Sequence, residues 1–512
     1  MAGFSWFDIL VFAAFFALVI GISLFKSRKE RSGEDYFLAG RSLSWWLIGL
    51  SLIAANISTE QFVGMSGSSA GNVGFAIASY EWISVPTLVF VALFFLPKLL
   101  RSGIYTFPEF LEYRYHPAAR AIMAVYTMII YVSVTIVAVL WSGALTLTKI
   151  FDLPFWAGIL LIGGIALIYA TYGGLKAVAW ADLFQGSGLI IGGLCVTAIG
   201  IAKIGGIQAF LHNTPEKFHL ILPASHPELP WTALVGGLWI PALYYWGLNQ
   251  FICQKTLGAK SLREGQRGII FAAGLKLILP LLTVLPGIIA FQLYGNQLAG
   301  TTPDAAFPML IRNLIPAGLK GFIFAALAGA VVSTLGAMLN SASTILTMDL
   351  YKRYLNKDAS SRSLVGIGRI LTVAFLIVSG AIALFLKNPK GIFHFIQEFQ
   401  GFISPGILAA FLFGLIFKRT PPAAGIAALV LNPIIYGALY LGAADKIAFL
   451  NRMLITFGII IAVMAVLRLV RPLREPVVLP VRAEVETKTD PSIIWMGAAA
   501  VAVTIVLYIV LR

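Results

Sequence analysis

Charge is what this 512-residue chain has least of. Only 12% of its residues are Asp, Glu, Lys or Arg, while 59% are hydrophobic. Soluble domains carry about 25% charged residues. A soluble enzyme with a membrane anchor is excluded, because no stretch is long and polar enough to make a separate domain. Cysteine is nearly absent: Cys195 and Cys253 stand far apart in apolar surroundings. Two such residues make no disulfide framework and read as small buried hydrophobes. The five histidines (116, 212, 219, 226 and 394) are scattered, and neither HExxH nor G-x-x-x-x-G-K-[ST] occurs. Zinc hydrolysis and direct ATP drive are therefore not expected, and the chain reads as something other than an enzyme. Acidic residues number 22 against 37 Lys and Arg, a formal net charge of +15. That excess has no contiguous surface to sit on, so a nucleic-acid partner is not expected.

What is present is hydrophobic length. A bilayer core needs about 20 apolar residues per helix. Fourteen spans of that kind are expected, at roughly 6–25, 44–65, 73–98, 121–148, 154–172, 180–202, 231–252, 268–295, 319–349, 364–386, 391–417, 421–443, 448–467 and 493–511. The first is expected to be a span and not a cleaved signal peptide, since Met1 to Asp8 carries no Lys or Arg. The stretch 471–492, with Pro472, Pro476 and Pro480, reads as a solvated tether before the last span. Loops after the odd-numbered spans hold 26 of the 37 basic residues, among them Lys26-Ser27-Arg28-Lys29 and Lys352-Arg353. The positive-inside rule makes that side cytoplasmic, so both termini are expected outside a cell (inner) membrane.

Charges within spans are expensive and default to functional hypotheses. Here they are Glu60, Glu81, Asp182, Lys276 and Glu398. Lys276 and Glu81 lie at similar depth and are able to pair or to share a polar ligand. A purely structural pair is the alternative for them, and a structural role is equally open for Asp182 and Glu398. Two spans look interrupted: span 2 over Ser51–Gln61, rich in small and polar groups, and span 7 over Ile240–Gln250, with Pro241 and Gly247 around three aromatics. Irregular backbone survives in hydrocarbon only where it lines a cavity. Interrupted segments at matching places in two halves point to an inverted-repeat transporter with a midplane site. Spans 2–6 and 7–11 make those halves. In span 9, Ser333 and Thr334 offer hydroxyls that suit a hard cation, with helix-to-helix glue as the ordinary alternative.

These same residues carry a resemblance. Asn56-Ile57-Ser58-Thr59-Glu60-Gln61-Phe62-Val63-Gly64-Met65-Ser66-Gly67 resembles the first core helix of the sodium/solute symporter family, and Ala76-Ile77-Ala78-Ser79-Tyr80-Glu81-Trp82 the next helix of its sodium/glucose (galactose) branch. Tyr172-Gly173-Gly174-Leu175 with Trp180-Ala181-Asp182, Tyr245-Trp246-Gly247 with Asn249-Gln250, Met338-Leu339-Asn340-Ser341, and Ile396-Gln397-Glu398 followed by Ser404-Pro405-Gly406 are similar to further family motifs. The resemblance runs in order from about residue 30 to 420. It implies an all-α membrane protein of the leucine-transporter type, with about 14 transmembrane helices and a five-plus-five inverted core. It implies sugar contacts at Gln61, Glu81, Ser84, Lys276 and Gln397, with Tyr245 stacking on the pyranose as an inner gate and Trp246 beside it. It places Asn56 at the turn joining sugar and ion sites, and Met65 and Phe393 at an outer hydrophobic gate. It implies a Na⁺ site from the carbonyls of Ala54, Ile57 and Ala330 and the hydroxyls of Ser333 and Thr334, with Asp182 on the sodium exit route or at a second ion. Ala242 departs from the branch, which offers an asparagine there, so galactose is in doubt as the preferred sugar.

The expected function is a sodium-coupled symporter importing a monosaccharide such as glucose or galactose by alternating access. A symporter of inositol, another polyol or a non-sugar solute is the alternative, as is an uncoupled sugar facilitator. The expected partners are the small solute, Na⁺ and the lipid bilayer. The expected domains are 1–43 (an extra helix and loop), 44–417 (the transport core, with halves 44–204 and 231–417) and 418–512 (peripheral helices).

Overall fold

The computed structural model describes residues 5–27, 39–104, 106–172, 175–386, 391–480 and 488–511. Those residues form helices and no strand; one isolated bridge joins Leu43 to Ala259. Helix satisfies every backbone group within its own segment, which hydrocarbon demands. Among the described residues, ten helices are long and apolar enough to cross a membrane, and two bent pairs raise the number to twelve. Two expected spans are not among these. Span 5 is the helix Phe155–Tyr172, 18 residues long. Span 7 is three pieces, Trp231–Gly236, Trp239–Gly247 and Gln250–Leu257, each too short to cross alone. Span 8 starts earlier than expected. It runs as Leu262–Ile278, Pro280–Thr283 and Leu285–Leu298, and only Pro280–Leu298 passes as a membrane helix.

The bent pairs fall where the sequence turns polar. Span 2 is Trp45–Asn56 followed by Glu60–Ala70, bent by 54°. Its second part opens with a wide π-type turn over Glu60–Met65. Span 11 is Ile392–Gln400 followed by Ser404–Ile416, bent by 46°. The first half of span 2 packs between the Leu262–Ile278 helix and span 6 (Leu175–Ile204), and span 9 (Leu319–Ile345) packs on span 6 from another side. The crossing with span 8 needs glycine on both helices. A Cβ at Gly49 would stand 2.8 Å from the Gly268 carbonyl, and one at Gly268 would stand 2.8 Å from the Trp45 carbonyl. Small residues allow such close approach in membranes.

Loop contacts follow the expected alternation. On one face, Arg353 of the loop after span 9 pairs with Glu112 after span 3 at 2.5 Å, and Arg263 after span 7 pairs with Asp490 after span 13 at 2.7 Å. On the other, Arg312 after span 8 pairs with Asp152 after span 4 at 3.0 Å, and the Gly318 amide donates to Asp8 at 2.7 Å. The stretch expected as a solvated tether is partly docked. The Leu473 and Val477 amides donate to the carbonyls of Arg419 and Lys418, and residues 481–487 lie outside the described set. Gly173, Gly174, Arg28 and Lys29 also lie outside it.

Candidate functional site

The break in span 2 and the pieces of span 7 enclose a cavity of about 710 Å³, open space included. Span 2 contributes Asn56, Glu60 and Gln61 where the helix stops and restarts. Span 3 (Ser79–Phe90) contributes Tyr80, Glu81 and Ser84, and Trp239–Gly247 contributes Pro241, Ala242, Tyr245 and Trp246. Lys276 enters from span 8, and Phe393, Ile396, Gln397 and Gln400 enter from the first half of span 11. All seven residues named for the substrate thus line one space, with Asn56 and Phe393 of the gate set. Met65 does not line it; it is fully buried in the surrounding core. The Phe393 ring meets the Tyr80 ring edge-on at 4.9 Å, a contact the sequence had not singled out.

Lys276 organises the cavity. Its ammonium donates to the Glu81 carboxylate and to the Asn56 side-chain carbonyl, and it lies 4.7 Å from the centre of the Trp246 ring. Lys276 and Glu81 are each 1% exposed. Two ions withdrawn from water this far lose several kcal/mol each in hydration, which only close pairing and further hydrogen bonds offset. Asn56 also donates to the Tyr245 hydroxyl at 3.3 Å, so one carboxamide ties the aromatic to the ion pair. The Ser84 hydroxyl is engaged within the protein: it accepts from the Trp246 indole at 2.8 Å and donates to the Tyr80 carbonyl at 2.7 Å. Its position holds Trp246 in place.

The residues named for Na⁺ lie on the first half of span 2, at its end, and on span 9, two helices that Asp182 of span 6 joins through Ser51 and Ser333. Span 2's first half ends at Asn56, and the Ile57 amide returns to the Ile53 carbonyl. The later carbonyls of that last turn, Ala54's among them, have no partner further along the helix. Ala330, Ser333 and Thr334 sit on span 9 and are buried, and the Thr334 hydroxyl has no hydrogen-bond partner. Ser333 is engaged: it donates to Asp182 at 2.5 Å, and the other carboxylate oxygen accepts from Ser51 at 2.5 Å. That second oxygen also holds Lys255, whose ammonium is 2.5 Å from Asp182 and 2.8 Å from the Ser51 carbonyl. Carbonyl and hydroxyl oxygens suit a hard cation. No group of three or more His, Cys, Asp or Glu able to hold a metal occurs among the described residues.

Lys255 is the buried ionic partner at this cluster that sequence reasoning missed. It follows the expected end of span 7 by three residues and counted among the basic loop residues, yet it is fully buried. The signal was Asp182, a carboxylate within a span that needed a partner. Glu398 has a structural explanation: Arg452 donates to it at 2.6 Å, and His394 stands 3.5 Å away.

Broken apolar helices around a buried polar cavity, with a buried Asp182–Lys255 pair between spans 2, 7 and 9, define a helical membrane transporter. Residues 36–431 match the sodium:solute symporter family, and the chain belongs to that family. It is 46% identical over 457 residues to a sodium/glucose cotransporter of Vibrio parahaemolyticus, covering 84% of each chain. It is 30% identical to sodium/myo-inositol cotransporter 2 of Sus scrofa, covering 83% of this chain and 68% of that one. Among solved structures it shares its fold with a Na⁺-coupled sialic acid symporter in a substrate-bound outward-open state. The TM-score is 0.81 at 21% identity, over 92% of this chain and 99% of the other.

Proposed function

We propose that this protein is a sodium-coupled symporter that imports a monosaccharide such as glucose or galactose by alternating access. The observation that carries the reading is the Lys276–Glu81–Asn56 cluster in a cavity lined by Gln61, Tyr245, Trp246 and Gln397. Carboxylate and carboxamide oxygens accept from hydroxyls, amides and ammonium donate to them, and aromatic faces cover the ring. A site built for hydroxyls rejects analogues lacking them, because its own groups are then left unpaired. The 46% identity to a sodium/glucose cotransporter supports the sugar assignment. Likeness to sodium/myo-inositol cotransporters favours a cyclic polyol as the second reading, since a polyol ring offers the same hydroxyl chemistry.

In this scheme Na⁺ binds among the oxygens of Ala54, Ile57, Ala330, Ser333 and Thr334. It steadies the broken turn of span 2, so Asn56 and Gln61 are set for the sugar. Phe393 against Tyr80 closes one side, and Tyr245 on Asn56 closes the other. Asp182 lies on the ion's way out, where Lys255 competes for its carboxylate. Residues 1–43 add a first helix, 44–417 form the core, with halves 44–204 and 231–417, and 418–512 are peripheral. The chain lies in the cell membrane with both termini outside, because the basic loops follow the odd-numbered spans.

One charge moving down 100 mV and down a tenfold gradient supplies ~3.7 kcal/mol, enough for a sugar gradient of order 500-fold. One Na⁺ per sugar is therefore sufficient. Linkage requires sodium and sugar to raise each other's affinity by the same factor. The test is uptake into proteoliposomes in sodium and in choline, across hexoses, pentoses, inositol and amino acids. Concentrative, sodium-dependent uptake of a hexose is expected. Equal sugar affinity in the two salts overturns the coupling.

A further inference from the structure

We infer that Glu60 is a further substrate-binding residue, whose carboxylate accepts a hydroxyl of the transported polyhydroxyl molecule and sets which hydroxyl pattern is preferred. The inference rests on the sugar reading above and adds a residue to it. Glu60 stands at the restart of span 2, directly after the break, and lines the cavity while only 7% exposed. Its Oε2 atom is buried with no hydrogen-bond partner, and so is Oε1 of the adjacent Gln61. A buried polar atom without a partner costs free energy that a native site recovers elsewhere.

Counting donors and acceptors says what is missing. The Lys276 ammonium has three hydrogens, and two are already given to Glu81 and Asn56. The Trp246 indole donates to Ser84 and Ser84 to a carbonyl, so those donors are spent as well. Pro241 and Ala242 line the cavity with no polar side chain to answer Glu60. Two orphaned side-chain atoms belong to residues that line this space, Glu60 Oε2 and Gln61 Oε1, and both are acceptors. A ligand whose hydroxyls donate satisfies these acceptors, and Glu60 takes one of them. The Glu81–Lys276 pair is internally neutralised, so Glu60 is the carboxylate with capacity left for a ligand.

The experiment is sodium-driven uptake by the full-length protein in proteoliposomes, with D-glucose and its 2-, 3-, 4- and 6-deoxy analogues as competitors. Wild type is compared with Glu60→Ala and with the near-isosteric Glu60→Gln. A hydrogen bond to a carboxylate is worth a factor of about ten or more in affinity. In Glu60→Ala, D-glucose should weaken by such a factor. One deoxy analogue that wild type disfavours should then bind as well as glucose, while penalties at the other positions persist. Glu60→Gln keeps one acceptor and should fall between. Sodium-dependent thermal stabilisation of each variant, measured without sugar, reports that the fold and ion site are intact. If both variants keep the wild-type penalty at every position, the inference is overturned. If wild-type protein takes up no sugar, the sugar reading itself fails, which is a separate outcome.

Discussion

Removing the Lys255 ammonium is the most direct test of the polar cluster behind the cavity. Lys255 and Asp182 are 0% and 1% exposed, with nitrogen and oxygen 2.5 Å apart. At an effective dielectric of about 20, that separation is worth ~7 kcal/mol of attraction. Dehydrating the two ions takes back several kcal/mol each, so the pair is close to neutral overall. Breaking it is not neutral. Lys255→Met leaves a buried carboxylate held only by the Ser51 and Ser333 hydroxyls, and Asp182→Asn leaves a buried ammonium; each should cost ~3–5 kcal/mol. The double variant removes both charges and should recover most of that loss, so the cycle should show strong coupling. The assay is the temperature at which purified protein loses its monodisperse gel-filtration peak. Sodium adds a second arm. In Lys255→Met the free carboxylate, two hydroxyls and the Ser51 carbonyl form an all-oxygen cluster. A cation at 100 times its dissociation constant would stabilise that variant by ~2.7 kcal/mol. Sodium should therefore raise its unfolding temperature more than it raises that of wild type. Losses that simply add in the double variant, with equal sodium effects throughout, would refute the reasoning.

Two further outcomes are expected. Asp304 lies in the loop between spans 8 and 9, where burial pushes its carboxyl from 3.8 up to about 7 against the opposing hydrogen bond from the Ile392 amide. The folded state then binds more protons than the unfolded chain between those values, so stability falls as pH rises through that window. Asp304→Asn keeps an acceptor for Ile392 without the charge, and should melt above wild type at pH 8, by up to about 4 kcal/mol, but level with it at pH 4. A gap that does not change with pH would count against this. Gly287→Ala would put a Cβ 2.0 Å from both the Ser66 carbonyl and the Ser69 hydroxyl, prising span 8 from the second half of span 2. Overpacking of this kind costs about 1–3 kcal/mol, and thermal melting should fall accordingly, with sugar affinity weakened through the displaced Gln61.

The cavity was legible because its members break a rule locally. Lys276, Glu81 and Glu60 are charges inside long apolar runs, and the Asn56–Thr59 turn is polar where a helix should continue. Hydropathy detects both at once. It fails where depth is created by tertiary packing. Lys255 sits at the end of a span by composition, yet span 7 is cut into pieces whose last, Gln250–Leu257, is buried throughout, so its lysine lies deep. Arg114 shows the same effect on a helix expected as part of a loop. It is 2% exposed and donates to the carbonyls of Gly414, Phe417 and Thr420 where span 11 ends. Basic residues near span ends were assigned one role, orienting the chain, whereas these two bind groups that only the folded bundle brings near.

The same distinction bears on Ser333. The sequence offers its hydroxyl to a cation or to helix packing, and in the fold it donates to Asp182, which Lys255 neutralises. Thr334, its neighbour, keeps an unpartnered hydroxyl. A cation arriving at the break of span 2 would meet two hydroxyl oxygens with free lone pairs, since Ser333 gives Asp182 only its proton. Coordination there would polarise the Ser333 hydroxyl, strengthen its hydrogen bond to Asp182 and ease the carboxylate's demand on Lys255. Ion binding at one end of this short chain would thereby be felt at the other, through three side chains in direct contact. Sodium affinity should for that reason depend on Lys255, although no atom of Lys255 need touch the ion.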